Sequence, residues 1–350
     1  MRGYIIALLI FSIVVIFYVY RLIQKDDHPQ CHRRNNMRIP TGSKTVMITG
    51  GSSGIGYAYC SALLDYGYNV IIVDIKNASK VAATFKQNKK LPPHRVYGIY
   101  GDVRDKKSMT RAFDRASKYT ISGVLDIVIL NAGIFKPIYE DDVSIIETNL
   151  LGPMYGAELY IRQITDNLTK RVPSNKEYQI IITCSIASFV PIDSNISPVY
   201  DASKAGVGQL VRSYKPIAKR FNFRINGICP TMVETGLTKP LMNTTLKHVG
   251  AHLYMNAEGR GGILQPCQIV PAMMEVLTNT KYNGDLVAVN PNLGFPYRLE
   301  PLDEGNAYIE YGKYNEDKSY ITKKYLDYTI DNEYIGHPHN YTPLRHQTDD

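Results

Sequence analysis

The chain has 350 residues, 44% hydrophobic and 21% charged, with 26 Gly and 19 Pro; these are values of a packed globular protein and exclude a disordered, collagen-like or coiled-coil chain. Five cysteines without a CxxC pair exclude a disulfide scaffold and a zinc ribbon. The net charge is +8, yet residues 300–350 hold eleven acids and five bases, leaving +14 on the remainder; no basic run interleaved with aromatics accompanies it, so nucleic acid is not an expected partner.

The first element is apolar on every face. From Tyr4 to Tyr20 the run YIIALLIFSIVVIFYVY has no charge. As a helix it would reach roughly 25 Å, slightly under the hydrocarbon thickness of a bilayer. Leu22 and Ile23 extend it, Tyr18 and Tyr20 suit the interface, and Arg21 can snorkel. Residues 1–25 therefore read as a transmembrane anchor. A cleavable signal peptide is the alternative, opposed by the length of the run and the lack of an A-x-A-like site. Arg21, Lys25, Arg33, Arg34 and Arg38 follow the span, against Arg2 before it. That excess predicts a single-pass protein whose main domain faces the cytoplasm, and the short span suits the endoplasmic reticulum. Sequons beginning at Asn77, Asn167, Asn195, Asn243 and Asn340 keep a lumenal domain as the alternative.

Residues 26–42 are polar and without period, and read as a linker. Short runs rich in β-branched residues then recur at Thr45–Ile48, Asn69–Val73, Val96–Tyr100, Leu125–Leu130, Gln179–Thr183, Arg224–Ile228 and Asp285–Val289. Helical spacing occupies Tyr57–Asp65, Ser108–Tyr119, Val143–Asn167 and Ala202–Phe221 between them. The alternation predicts an α/β fold, a Rossmann-type doubly wound parallel sheet of about seven strands, over residues 43–299. Residues 300–350 form an acidic, Tyr-rich tail without sustained period.

The first predicted strand runs into Thr49-Gly50-Gly51-Ser52-Ser53-Gly54-Ile55-Gly56 and then a helix. Glycines at such a turn let the backbone approach a pyrophosphate, which the helix N-terminus stabilises. Gly50, Ser52, Ser53, Gly54, Ile55 and Gly56 are the candidates here; an ordinary Gly/Ser loop is the bland alternative. Asp74 ends the next strand, where a carboxylate can accept both ribose hydroxyls and repels a 2′-phosphate. The eight His are scattered, so no metal site is expected.

From Lys44 to Phe295 these residues resemble the short-chain dehydrogenase/reductase family, whose glycine turn is TGxxxGIG. The resemblance makes Asp102 and Val103 the adenine-contacting pair and Asn131-Ala132-Gly133 the NAG motif after the fourth strand. It makes Asn149 the Asn that positions a relay water. Pro230, Val233 and Thr235 correspond to the PGxVxT loop beside the nicotinamide, with Thr231 in place of Gly. The family's Tyr-x-x-x-Lys pair occurs three times, at Tyr200/Lys204, Tyr314/Lys318 and Tyr320/Lys324. Only Tyr200 opens a strong helical segment and follows a strand ending in Ser185; the other two pairs sit in the acidic tail. Ser185 lies fifteen residues before Tyr200, about two more than the family pattern, which places an insertion at Asp193–Ser197. Ser188 is the fallback for the serine.

The chemistry needs these residue types. Residues four apart share a helix face, so the Lys204 ammonium can sit near the Tyr200 phenol. A base working at neutral pH needs that phenol lowered by roughly three pH units, which a nearby cation can supply. Ser185 would donate to the developing oxygen charge, and by resemblance Lys204 also holds the nicotinamide ribose. PVYDASK at 198–204, Ile228-Cys229-Pro230 and the run from Gly262 to Pro266 are similar to the hydroxyprostaglandin-dehydrogenase branch. With the apolar run read as an anchor, the resemblance implies an oxidoreductase moving hydride between a secondary alcohol of a lipophilic small molecule and NAD. The alternatives are an NADP-dependent carbonyl reductase of retinoid, steroid or sphingoid type, opposed by Asp74 but allowed by nearby Lys76, and a non-catalytic membrane scaffold. Self-association into a homodimer is left open.

Overall fold

The computed structural model describes residues 44–136, 143–169, 177–189, 197–238, 263–290, 297–300 and 308–310. The apolar run 4–20, the linker 26–42 and nearly all of the tail lie outside the described residues, as do the Tyr314 and Tyr320 pairs. Among the described residues no helix is long and apolar enough to cross a membrane.

Seven strands are named in chain order: β1 Thr45–Thr49, β2 Asn69–Asp74, β3 Val96–Tyr100, β4 Ile127–Leu130, β5 Tyr178–Thr183, β6 Phe223–Pro230 and β7 Leu286–Val289. They pair in parallel in the order β3-β2-β1-β4-β5-β6-β7. Parallel pairing requires crossovers, supplied by helices α1 Gly54–Asp65, α2 Ala78–Asn88, α3 Lys106–Ser117, α4 Val143–Ile146, α5 Gly152–Thr169, α6 Pro198–Arg220 and α7 Val270–Thr278. Tyr297–Glu300 and Tyr308–Glu310 pair with each other in a short antiparallel ladder.

Strands covered on both faces need apolar residues at every position rather than alternate ones. Accordingly β1, β4, β5, β6 and β7 are buried along their whole length. Ile48, Ile72, Ile129, Ile181, Ile228 and Val287 form one core with α1, α2 and α7. The alternate residues face the opposite layer, where α3 packs on β3 and α5 on β4 and β5. Helix α2 is polar overall, yet it buries Ala78, Ala82 and Phe85, spaced at i, i+4 and i+7.

Most element ends shift by one to three residues from the periodicity reading, the helix Ala78–Asn88 is absent from it, and two differences have a clear physical origin. β4 begins at Ile127 rather than Leu125, because the Asp126 carboxylate, not a ladder carbonyl, accepts the Thr45 N–H at 2.7 Å. The helix expected over Val143–Asn167 is divided by a π turn at Glu147–Leu151.

One charged group is built into the core edge. The Arg224 guanidinium donates to Glu177 Oε1 at 2.7 Å and to the carbonyls of Val276, Leu277, Asn279 and Tyr282. It thereby satisfies the carbonyls that α7 and the following turn leave open. Arg224→Leu should lower the unfolding free energy by about 3–5 kcal/mol, since it breaks the ion pair of Glu177 and takes a donor from each of four carbonyls. Urea denaturation followed by far-UV circular dichroism measures this.

Candidate active site

In a doubly wound sheet the crevice opens at the carboxyl ends of the strands, where the chain order reverses. Here that point is between β1 and β4, and a cavity of about 430 Å³ lies there, within the range of ligand sites. Every site residue read from the sequence lines it except Ser52, Gly56 and Asn149.

The glycine turn is shaped by contact. Gly50 and Gly54 have φ of 66° and 54°, which L side chains rarely adopt. A Cβ on Gly56 would stand 2.2 Å from the Gly50 carbonyl oxygen, and one on Gly50 2.8 Å from Ala132 Cα. The N-terminus of α1 has neither a side-chain cap nor an acidic first turn, so its N–H groups and dipole are open to an anion. The Asp74 carboxylate at the end of β2 accepts the N–H groups of Ser52 (3.1 Å) and Lys76 (3.0 Å), which fixes it at the cavity wall. The cradle, the open helix terminus and this carboxylate fit a dinucleotide. The Ser52 hydroxyl is buried away from the cavity and makes no hydrogen bond, so Ser52 contributes backbone alone.

Asn131 braces the turn from the other side. Its Nδ2 donates to the Thr49 and Gly50 carbonyls, both at 3.2 Å, while its Oδ1 accepts from Thr183 Oγ1 at 3.0 Å. Thr183 is a residue the sequence reading passed over. Its carbonyl also accepts the Lys204 Nζ bond at 2.9 Å, so it connects the two ends of the site. Its place directly before Cys184-Ser185 was the available signal.

Helix α6 presents the Tyr–Lys pair. Ser197 caps it, its Oγ accepting from the Tyr200 N–H at 3.3 Å, and Pro198 occupies the first turn. Lys204 Nζ lies 5.8 Å from the Tyr200 ring centroid. The Phe135 ring meets Tyr200 edge-on at 5.1 Å between centroids. Ser185 lines the cavity and bonds the Tyr200 hydroxyl. Ser188 does not line it; its hydroxyl donates to the Lys204 carbonyl at 2.7 Å inside the helix packing. Of the two serines, Ser185 is the one at the cavity wall.

Asn149 sits in the π turn and is 1% exposed. Its amide bonds both the N–H and the carbonyl of Ile134 at 2.8 Å and reaches Ser203 Oγ at 3.3 Å. Its side chain thus holds the loop after β4 against α6. Thr231, standing where the family pattern has Gly, turns its N–H and hydroxyl onto the Val289 carbonyl, at 3.0 and 3.3 Å.

The charge state differs from the expected lowering. Burial pushes the Tyr200 phenol up to about 12, opposed by the Ser185 hydrogen bond. Burial likewise holds the Lys204 ammonium below the usual lysine range. The ammonium bonds the Thr183 carbonyl at 2.9 Å and lies 5.8 Å from the centre of the Tyr200 ring.

Residues 44–245, more than half of the chain, match the family model described as short chain dehydrogenase. The 15-hydroxyprostaglandin dehydrogenase [NAD(+)] of Mus musculus is 26% identical over 272 residues, covering 74% of this chain and 95% of that protein. Carbonyl reductase family member 4 of Danio rerio is 27% identical over 259 residues, covering 72% and 98%. Among solved structures, 3-ketoacyl-(acyl-carrier-protein) reductase from Brucella melitensis, complexed with NADH, shares the fold with a TM-score of 0.59, at 22% identity and with 71% of this chain and 97% of that one covered. Levodione reductase superimposes with a TM-score of 0.61 at 19% identity, covering 71% and 96%.

The contact geometry of the turn makes a testable contrast. Gly56→Ala drives a methyl into backbone and should lower stability by roughly 1–3 kcal/mol. Gly236→Ala, whose Cβ would meet nothing within 4 Å, should be neutral within about 0.5 kcal/mol. Paired urea unfolding curves measure both.

Proposed function

The chain belongs to the short-chain dehydrogenase family, and on that footing we propose a membrane-anchored enzyme that oxidises a secondary alcohol of a lipophilic small molecule with NAD. The observation that carries the reading is one cavity with Asp74 and the glycine turn at one end and Ser185, Tyr200 and Lys204 at the other. Phe135, Ile186, Met232 and Leu237 add apolar wall at the catalytic end, which supports a lipophilic substrate. The names of the 15-hydroxyprostaglandin dehydrogenases of mouse and human specify NAD(+), and Asp74 supports the same choice here.

In this reading the turn at Gly50–Gly56 holds the pyrophosphate on the α1 terminus, and Asp74 holds the adenosine ribose. When bound, the dinucleotide supplies the hydride acceptor for the alcohol carbon. Ser185 orients the reacting oxygen, and Tyr200 Oη takes its proton. Lys204, fixed on the Thr183 carbonyl, provides the only lysine ammonium lining the cavity among the described residues. Asn149 acts by positioning, through Ile134 and Ser203.

Anchoring is proposed from the run Tyr4–Tyr20, with the domain on the cytoplasmic face of the endoplasmic reticulum from the basic flank that follows it. A lumenal domain is the second reading, favoured by one observation: Cys267 is disulfide-bonded, and disulfides persist in oxidising compartments. Protease added to intact microsomes should digest the domain; full protection would reverse the orientation.

The cofactor test uses purified full-length protein in detergent with a panel of secondary alcohols. NAD should give a higher kcat/KM than NADP, and Asp74→Ala should shift preference toward NADP. A wild-type preference for NADP would replace this reading with the carbonyl reductase one, for which exposed Lys76 beside Asp74 offers a phosphate contact.

A raised phenol has a definite pH signature. Below its pKa, the base form of Tyr200 increases about tenfold per pH unit. Alcohol oxidation should therefore climb steeply from pH 7 to 10, while ketone reduction, which needs the protonated phenol, should not. Tyr200→Phe should abolish turnover at every pH and still bind NAD. Initial rates in both directions measure this, and a flat oxidation profile would reject Tyr200 as the base.

A further inference from the structure

The family resemblance makes Asp102 an adenine contact, but the carboxylate is already engaged. Its Oδ1 accepts the Arg104 backbone N–H and Nε, both at 3.0 Å, and its Oδ2 accepts Arg104 Nε at 3.2 Å and Nη2 at 2.7 Å. Three hydrogens make these contacts, the Nε–H being shared by both oxygens, and they fix the edge of the carboxylate on the guanidinium. The Arg104 hydrogen bonds hold the Asp102 carboxyl below the usual carboxylate range, which keeps the pair ionised. The Asp102 N–H is likewise committed, donating to Ser108 Oγ at 3.1 Å.

Arg104 itself lines the cavity together with Asp74, Ile75 and Val103, at the end opposite Tyr200. A guanidinium fixed edge-on by a bidentate carboxylate keeps its planar face free, and such a face stacks on aromatic rings. Resting on the NAD reading above, we infer that Arg104 is the adenine platform of this site, with Asp102 acting as the clamp that holds the guanidinium plane. Adenine recognition then comes from stacking on Arg104 rather than from a hydrogen bond to Asp102. Ile75, 46% exposed on the neighbouring strand end, supplies apolar wall beside it.

The test reads binding, not turnover. Isothermal titration of the full-length protein uses four probes: NAD, adenosine monophosphate, adenosine and nicotinamide mononucleotide. Arg104→Ala should weaken the three adenine-containing probes by roughly 3- to 30-fold, the span of a partly to well desolvated cation–π contact, and leave nicotinamide mononucleotide unchanged. Arg104→Lys, which keeps the charge but not the plane, should restore little of the adenosine affinity. Arg104 is about half exposed, so both variants should fold, as circular dichroism would show. Unchanged adenosine and NAD binding in Arg104→Ala, or full rescue by Lys, would overturn the platform while leaving the NAD reading intact. Failure of the wild-type protein to bind NAD at all would overturn both.

Discussion

The site depends on one close approach: the backbone of the first turn touching the exit of β4. Gly50 and Gly56 are pressed against Ala132, Asn131 and each other at distances no Cβ could occupy. Asn131 then bolts the contact with two bonds to the turn and one to Thr183. Because Thr183 also carries Lys204, the glycine turn and the Tyr200–Lys204 pair are set by the same three strand termini. Displacing the turn would therefore shift the lysine as well.

The electrostatics follow from the same crowding. A phenol and an ammonium taken out of water are both driven toward their neutral forms, and here neither is offset by a carboxylate bonded to it. The polar partners are weak ones: a carbonyl for Lys204 and a serine hydroxyl for Tyr200. A neutral phenol at rest is poised to give a proton. Cys229 beside them is driven up by burial as well, which suits an inert filler.

Much of this was legible in the residues. The strand runs, the glycine turn, Asp74 and the Tyr200–Lys204 pair are local patterns, and local patterns survive in sequence because period and spacing record them. What escaped reading was non-local. Nothing near Arg224 announces that carbonyls more than fifty residues away will take its donors. Asp126 looks like a strand residue until its carboxylate is seen on Thr45. Arg104 sits in an ordinary turn, and only the bidentate pair with Asp102 shows what it can do. Thr183 reads as the end of a strand, although it serves both halves of the site. The seven-strand sheet was thus visible from period alone, while the wiring between its ends required the fold.

The π turn at Glu147–Leu151 has a consequence in the language of phase. An α-helix advances about 100° per residue, and a π turn inserts one residue without lengthening the regular ladder on either side. The segments before and after it are therefore rotated relative to one another, like two dials on a common shaft. Ile145 is set inward on the first dial, and Gly156, Ala157, Tyr160 and Ile164 on the second, where Gly156 accepts the Leu130 side chain at the sheet. Asn149 lies on the slip between them. The face that packs the sheet and the residue that holds the loop are thus indexed separately.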